Sequence, residues 1–505
     1  MEDGTGGAAC VECGRLHDRG LMADEVLPEA LTLPELVARS GIQAALVGSS
    51  GEVVVSHLTS SSKHCRPGSL FCCIRGSRLD GHDFAEEAVE RGAVALVTTR
   101  RLDARVPQVV VSPGSERSAM AGLAAALWGR PAERLTMVGV TGTNGKTTVT
   151  HMIASILEAS GVPTAVLGTL SGSLTTPDSP DLQEALARFL ASGKRAVAME
   201  VSSHGLATNR VDAITFDVAV FTNLGHDHLD FHGSMEEYFE AKAQLFTPGR
   251  ARQAVVNRDD PWGRALLERA AVPMHPFSMA DASEVSMDPG GARFFWRGVE
   301  VVTHMLGSVN VANALAAATT AEVLGLDKVA IASGLASLPV VPGRLERVAT
   351  CDGVVAYVDF AHTPEALSYA LAAVREATGR SVVVVFGCGG DRDPSKRPDM
   401  GRIASESADY VVVTSDNPRS EDPVAIIDDV VSGVPAHARA RLLTEVDRRA
   451  AITAAIEIAK SHTPCVLLVA GKGHETGQDF GSVVLPFDDR EVVRALLLDS
   501  GGEAA

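Results

Sequence analysis

Residues 139–148 read Gly-Val-Thr-Gly-Thr-Asn-Gly-Lys-Thr-Thr, a run whose residue types and spacing suit it to holding phosphate. Gly142 and Gly145 let the backbone of Thr143 and Asn144 turn its N–H groups toward an anion. Lys146 adds a point charge, and Thr147 and Thr148 open the next element, where the Thr147 hydroxyl can hold a magnesium ion. The ligand expected is ATP with Mg2+. The common string G-x-x-x-x-G-K-[ST] is not met, because Val140 stands where its first glycine should be. The phosphate-cradling mechanism therefore carries the reading, against the plainer one of a glycine-rich turn with a solvated lysine.

Other groups with chemistry lie at the ends of predicted strands, where ligands bind in open α/β sheets. Glu200 closes the run Ala-Val-Ala-Met-Glu and precedes Ser202-Ser203-His204; a carboxylate there can share a magnesium ion with Thr147. Residues 223–230, Asn-Leu-Gly-His-Asp-His-Leu-Asp, end the next strand as a polar cluster containing His228, or simply as a capped turn. Lys242 lies on a helical stretch among Tyr238, Leu245 and Phe246, and taken alone reads as a surface lysine snorkelling past apolar neighbours.

The elements that must position these groups alternate. The phosphate run lies between the apolar stretch Leu135–Val140 and the helix-like stretch Val149–Ala159. Further strands are expected at Ala196–Val201, Asp217–Leu224 and Gln253–Asn257. Ser234-Met-Glu-Glu237 reads as a capping box for a helix reaching Phe246, and Val309–Leu324 as a long helix. A second αβ series has strands at Val354–Asp359, Ser381–Gly387, Tyr410–Ser415 and Pro464–Ala470. Its helix Pro364–Thr378 is capped by Thr363 and closed by Gly379. The expected fold class is α/β with three domains: a small N-terminal α/β module over 28–128, a central P-loop-type parallel-sheet domain over 129–342, and a C-terminal Rossmann-like domain over 343–505. Residues 1–27 read as a disordered or loosely docked extension, and Trp128-Gly-Arg-Pro131 as a linker.

Composition narrows the function classes. The 505 residues are 46% hydrophobic but only 4% aromatic, enough for aliphatic cores in roughly three domains. A formal net charge of −18 disfavours nucleic acid and anionic membrane surfaces as partners. The apolar runs fall short of a membrane span and the first residues are acidic, so the expected location is cytoplasmic. Eight cysteines in such a length do not suggest a disulfide framework. Cys10-x-x-Cys13 with His17 is at best half a zinc site, whereas Cys72, Cys73, Cys351, Cys388 and Cys465 read as buried hydrophobes.

From about residue 28 to 495 the chain resembles the Mur ligases, the ATP-dependent amide-forming family of peptidoglycan synthesis, and most closely the branch that adds the third residue of the stem peptide. The motifs that carry the resemblance are Thr-Gly-Thr-Asn-Gly-Lys-Thr-Thr (141–148), Thr-Thr-Pro (175–177), Met-Glu-Val-Ser-Ser-His-Gly-Leu (199–206), Thr-Asn-Leu with Asp-His-Leu-Asp (222–230), and Glu-Tyr-Phe-Glu-Ala-Lys (237–242). They continue with Pro-Gly-Arg-Leu-Glu (342–346), Val-Asp-Phe-Ala-His-Thr-Pro (358–364), Phe-Gly-Cys-Gly-Gly-Asp-Arg-Asp (386–393), Asp-Asn-Pro-Arg (416–419) and Gly-Lys-Gly-His-Glu (471–475).

The resemblance implies a UDP-sugar-binding N-terminal module, a central ATP domain and a C-terminal amino-acid domain. It makes Lys242 a carbamylated ligand of a second magnesium beside His228 and Glu200, so that Lys146, Glu200, His228 and Lys242 are the catalytic set. It puts Asn223 and Asn310 near adenine, and Arg344, Asp359 and His362 on the ribose and phosphates once the domains close. Thr175, Thr176, Ser202 and Arg210 would grip the UDP-linked muramoyl dipeptide. Asp416, Asn417, Arg419, Arg392, Gly471 and Glu475 would hold diaminopimelate, Arg419 gripping its distal carboxylate and Glu475 its distal ammonium.

The implied reaction makes an acyl phosphate from the dipeptide carboxylate and ATP, which the amine then attacks. His204 or His228 is a candidate for handling the amine proton. A monomer is expected. The pattern departs at Ser61-Ser62-Lys63, where the family usually has Asp-Ser-Arg ahead of Pro67-Gly-Ser-Leu-Phe71; Asp80-Gly-His-Asp-Phe84 does match. Val309 and Ala312 replace aromatics, Phe360 a tyrosine, and Thr208 a glutamine. These departures leave open a sibling ligase with another amine, such as lysine, or another acceptor. A nucleotide-binding regulator without turnover is the alternative from a different class.

Overall fold

The computed structural model describes residues 28, 30–76, 79–172, 174–498 and 503–504; Cys10, Cys13 and His17 lie outside them. The chain forms two compact units, Met1–Pro131 with Leu167–Gly193, and Ala132–Val166 with Lys194–Ala505.

The first unit is built on a five-stranded sheet in the order Ala45–Val47, Gln108–Val110, Ala93–Thr98, Ser69–Cys72, His57–Thr59, with only the first pair antiparallel. Strand residues alternate between two apolar layers: Leu70, Cys72, Ala95 and Val97 face one, Phe71, Cys73 and Leu96 the other. Val54–Val55 and His57–Thr59 are separate strands. The N–H groups of Ser56 and His57 both converge on the Gly68 carbonyl, which breaks the ladder, and Val54–Val55 turns away to pair with Leu31–Thr32. Helix Ser179–Ala191 packs on helix Glu116–Leu127 within this unit.

The second unit carries two larger sheets. The first has the order Met274–Phe277, Ala251–Asn257, Phe216–Phe221, Thr136–Thr141, Ala196–Glu200, Thr164–Leu167, and its first five strands pair in parallel. Register aligns the strand ends. Thr141 pairs with Phe221, and Val140 with Glu200, so three carboxyl ends stop at one edge and the loops after them converge. Helix Ser308–Val323 packs on helix Lys146–Ala159 behind that edge. Between the sheets the chain inserts three antiparallel strands, Ala282–Asp288, Gly291–Trp296 and Val299–Thr303, which are not among the expected elements.

The second sheet runs Leu442–Thr444, Tyr410–Val413, Ser381–Phe386, Cys465–Ala470, Val354–Asp359, Glu346–Cys351, Glu503–Ala504; the first five are parallel, the last two antiparallel. Val382, Val384 and Phe386 pack beneath helices Pro364–Thr378 and Lys396–Ser407, while Val383 and Val385 face helix Arg448–Ser461. A strand covered on both faces needs the unbroken apolar run seen there. The expected α/β class with parallel sheets is the one observed. Cys72, Cys73, Cys351, Cys388 and Cys465 are buried and free. Among the described residues no helix is long and apolar enough to cross a membrane.

Candidate active site

The phosphate loop leaves strand Thr136–Thr141 and enters helix Lys146–Ala159 through two positive-φ glycines. At Gly142 (φ 151°) a Cβ would collide with Thr222 Oγ1, and at Gly145 (φ 86°) it would meet Asn313 Oδ1. Only glycine satisfies both the backbone and the packing. The neighbouring loop holds this one in shape. Asn223 Oδ1 accepts from Asn144 N–H at 2.9 Å, Thr222 Oγ1 donates to Asn144 O at 2.6 Å, and Gly225 N–H donates to Thr143 Oγ1 at 2.9 Å. Asn223 thus grips the phosphate loop itself. Thr147 and Thr148 are buried in the first turn of the helix.

Two lysines meet at one carbonyl. Lys146 Nζ donates to Gly142 O at 3.0 Å and to Thr143 O at 2.9 Å, and Lys242 Nζ donates to Gly142 O at 2.9 Å. Lys242 is 1% exposed, with its ammonium 4.6 Å from the Tyr238 ring centre. The snorkelling reading of Lys242 is therefore corrected: helix Met235–Ala243 turns this residue inward. Ser234 Oγ supplies the forward half of the expected capping box by accepting from Glu237 N–H. Burial, and then the charge of Lys146, pull Lys242 well below the ordinary lysine range. Burial also lowers Lys146, although Glu200 and Asp227 hold it up.

Glu200 is 1% exposed and accepts from Thr147 Oγ1 at 3.0 Å. His228, in left-handed backbone (φ 56°), stands 3.4 Å from Asp227 and packs edge-on to His204 and Tyr238. Crowding by the surrounding chain brings its imidazole down to about 4; Lys146, His204 and Lys242 add to this and Asp227 opposes it. The 44% of its side chain that still meets solvent moderates the depression. Burial works against ionisation of Asp227, but His228, His362, Lys396 and Lys146 outweigh it and lower its pKa.

The second sheet reaches this edge through Arg344. Its Nη2 donates to Thr147 Oγ1 at 2.9 Å, and its guanidinium lies 4.8 Å over the Phe360 ring. Asp359 accepts from Leu345 and Ala361 N–H groups; burial raises its pKa against the pull of Arg344. His362 Nδ1 is 2.8 Å from Phe360 O and is lowered by burial. His474 stacks on Phe360 and is brought to about 4 by burial and then Arg344. Asn310, 8% exposed, donates to Leu306 O and accepts from Asn313.

A second polar cluster sits at the carboxyl edge of the second sheet. Asn417 Nδ2 donates to Glu475 Oε2 at 2.8 Å, and Lys472 Nζ donates at 3.0 Å both to Glu475 Oε2 and to Asn417 Oδ1. Arg419 (φ 51°) donates to Gly390 O at 2.7 Å and lies 3.4 Å from Asp479. Asp416 is 7% exposed beside Gly471; burial raises its pKa against Arg448 and Lys472. Arg392 is exposed, lining a cavity of about 530 Å³ with His226 from the loop of the first sheet. His226 Nε2 stands 3.8 Å from Asp393 there.

Three family descriptions match the chain: Mur ligase family, catalytic domain over residues 54–128, Mur ligase middle domain over 140–321, and Mur ligase, glutamate ligase domain over 343–473. The chain belongs to the Mur ligase family. The UDP-N-acetylmuramoyl-L-alanyl-D-glutamate–2,6-diaminopimelate ligase of Streptomyces coelicolor is 42% identical over 502 residues, covering 94% of this chain and 97% of its own. That of Geobacillus kaustophilus is 45% identical over 469 residues, covering 88% and 95%. A solved structure of a ligase of that same name is 30% identical, covers 94% of this chain and 100% of its own, and superposes with a TM-score of 0.65. The MurF ligase of Thermotoga maritima in complex with ADP shares the fold at 22% identity, with a TM-score of 0.60 and coverage of 88% and 97%.

In this Mur ligase Thr175 and Thr176 fall in the first unit, where Thr175 Oγ1 is 3.2 Å from Thr169 Oγ1 and Thr176 is buried. Ser202 and Arg210 belong to the second unit, Ser202 capping the short helix Ser203–Ala207. Ser62, within the departing triplet, donates to Glu87 at 2.9 Å. Lys472 is not among the residues expected at the site. A lysine flanked by glycines gives no sign that it will be fully buried against a carboxylate; the signal available is only its place in the run 471–475.

The donor set fits Mg2+ in part. Among the described residues no three His, Cys, Asp or Glu side chains form a cluster able to hold a metal. However, Thr147 Oγ1 and Glu200 Oε1 are hard oxygens 3.0 Å apart, the edge length of an octahedron with metal–oxygen bonds of about 2.1 Å. Lys242 as a free amine is not a ligand; as a carbamate it would add a carboxylate next to His228.

Proposed function

We propose that this Mur ligase adds diaminopimelate to UDP-N-acetylmuramoyl-L-alanyl-D-glutamate, using ATP and forming ADP and phosphate. The observation that carries the reading is the run of relatives at 40–45% identity across most of both chains that bear this activity in their names. The pairing of a lysine-lined phosphate loop with a guanidinium and carboxylate pocket supports it.

The chemistry comes from the charges. A dipeptide carboxylate oxygen attacks the γ-phosphorus of ATP, the bond to ADP breaks, and an acyl phosphate results. The amine nitrogen then attacks the acyl carbon; phosphate leaves with the bonding pair, and the nitrogen loses a proton. The barrier is largely that of gathering anions. Lys146 would leave the loop carbonyls for the γ-phosphate, and Arg344 would track the developing charge. Thr147 and Glu200 would hold one magnesium ion, and Glu200, His228 and a carbamylated Lys242 a second; bound there, magnesium would neutralise charge on the phosphate oxygens. The depressed pKa of Lys242 favours the neutral amine that carbamylation by carbon dioxide requires. Burial lowers the His228 imidazole and keeps it neutral, the form that ligates a metal, so His228 suits metal ligation better than proton transfer from the amine.

The domain reading kept with this proposal is a UDP-binding module over 28–128, an ATP domain over 129–342 and an amine-binding domain over 343–505, acting in the cytoplasm as a monomer. The test is an assay with ATP, the UDP-linked dipeptide and a panel of amines. Phosphate release dependent on both the dipeptide and diaminopimelate is expected; better turnover with lysine, or none with this dipeptide, overturns the reading.

A further inference from the structure

The structure assigns Lys472 a positioning role in amine selection: it holds Glu475 and Asn417 in one orientation and cancels the carboxylate charge, so that the pocket selects an amine whose far end is zwitterionic. This rests on the function proposed above and concerns which amine the pocket prefers.

The geometry is a closed triangle. Lys472 Nζ donates to Asn417 Oδ1 and Glu475 Oε2, both at 3.0 Å, and Asn417 Nδ2 donates to the same Glu475 Oε2 at 2.8 Å. An ammonium can only donate, and so can Asp479 N–H, which reaches Asn417 Oδ1 at 2.9 Å. These two donors fix the Asn417 amide with its oxygen toward Lys472 and its nitrogen toward Glu475. Glu475 Oε2 then carries two donors, which directs any further cation to Oε1.

The charges of the cluster point the same way. The Lys472 side chain is 0% exposed and Glu475 34% exposed, so the pair presents its carboxylate face outward with the ammonium behind it. Nearby, Arg448 is matched by Asp489 at 2.7 Å, and Arg419 faces Asp479 at 3.4 Å. Asp416 adds a further carboxylate and Arg392 a further guanidinium, so the pocket is close to balanced and offers little net attraction to a lysine side chain, which brings one positive charge. A diaminopimelate end brings an ammonium for Glu475 and a carboxylate for the guanidinium of Arg419 or Arg392, and suits a balanced pocket. Without Lys472 the pocket becomes one unit more negative, which favours the cationic amine over the zwitterionic one.

The experiment measures kcat/KM for diaminopimelate and for lysine in the full-length enzyme and in the variants Lys472→Met and Lys472→Gln. Glutamine keeps a donor and loses the charge. Both variants should lower the diaminopimelate-to-lysine ratio by about tenfold or more, with the KM for ATP within about twofold of the parent. A parallel loss on both amines, or an unmoved ratio, would show a merely structural lysine and overturn the assignment. If Lys472→Met lacks a cooperative melting transition, Lys472→Gln carries the test alone. A parent enzyme that prefers diaminopimelate while the variant ratios stay put removes only this inference; a parent that does not use diaminopimelate removes the functional reading and this inference with it.

Discussion

Around the phosphate loop, Lys146 and Lys242 rest on the carbonyl of Gly142 and Arg344 on the hydroxyl of Thr147. In the cluster proposed to bind the amine, Lys472 is already paired with Glu475, Arg448 with Asp489, and Arg419 faces Asp479. The first arrangement parks the cations of Lys146 and Arg344 on partial charges, so exchanging these partners for phosphate oxygens gains a full charge, while Lys242 waits there as the amine to be carbamylated. The second matches ion with ion, and an arriving ligand gains mainly from geometry. On the function proposed above, the first region would attract polyanions strongly and the second would discriminate between similar amines.

If that contrast is correct, the largest losses come from the phosphate side. Lys146→Ala should lower kcat by about 10³-fold or more, since a charge aimed at the transferring phosphoryl group is removed. Steady-state kinetics at saturating ATP check this, and a loss under tenfold would mean that the lysine stays on its loop carbonyls throughout. Lys242→Ala comes next, with an expected fall of about 10²–10³-fold because a metal-binding carbamate cannot form. Added acetate or formate should restore part of the turnover in Lys242→Ala, and bicarbonate should not. Equal recovery with chloride salts would argue against the carbamate.

The amine side should respond more selectively. Arg419→Ala is expected to cost about 2–3 kcal/mol in kcat/KM for diaminopimelate, the range for leaving a ligand carboxylate without its charged partner. The KM for ATP should hardly move. Loss shared equally between ATP and diaminopimelate would place Arg419 in the fold of the loop, where it already ties Gly390 to Asp479, rather than in recognition.

Much of this arrangement is readable in the chain, and the exceptions have physical causes. Helix Pro364–Thr378 runs between the residues expected because Thr363 caps its first turn and Gly379 takes the left-handed conformation at its end. The strands ending at Glu200 and Phe221 arise from apolar runs buried on both faces. The hairpins over 282–303 are not among the expected elements, yet Arg297-Gly298, both at positive φ, makes a two-residue turn between alternating runs in which Ala292, Phe294 and Trp296 point inward. Lys242 and Lys472 escape local reasoning for a shared reason. Spacing on one element assigns a lysine to solvent, whereas each of these is buried by partners distant in sequence, the carbonyl of Gly142 and the amide of Asn417.

The smallest expected effect concerns acid stability, and it again separates the two regions. His151, on the phosphate-loop helix, is brought to about 4 by burial and then by Arg344. Between that value and the ordinary 6.5 of an unfolded histidine, the unfolded chain binds a proton that the folded one refuses, so stability falls as pH drops through this window. In the cluster proposed to bind the amine the sign is the same but the window lies lower. Burial works against ionisation of Glu475, but Lys472 and Asn417 outweigh it and lower its pKa, so its contribution is intact above the ordinary value of 4.5 and is lost as pH falls from there through the lowered pKa. Replacing His151 by Gln should therefore flatten the stability loss between pH 6.5 and about 4, whereas Glu475→Gln should leave that slope largely in place above the ordinary carboxylate value. Urea unfolding at about pH 7.5, 6.0 and 5.0 measures both. A slope unchanged in the histidine variant would assign the acid sensitivity to other buried imidazoles, such as His57 in the first unit, instead of the phosphate side.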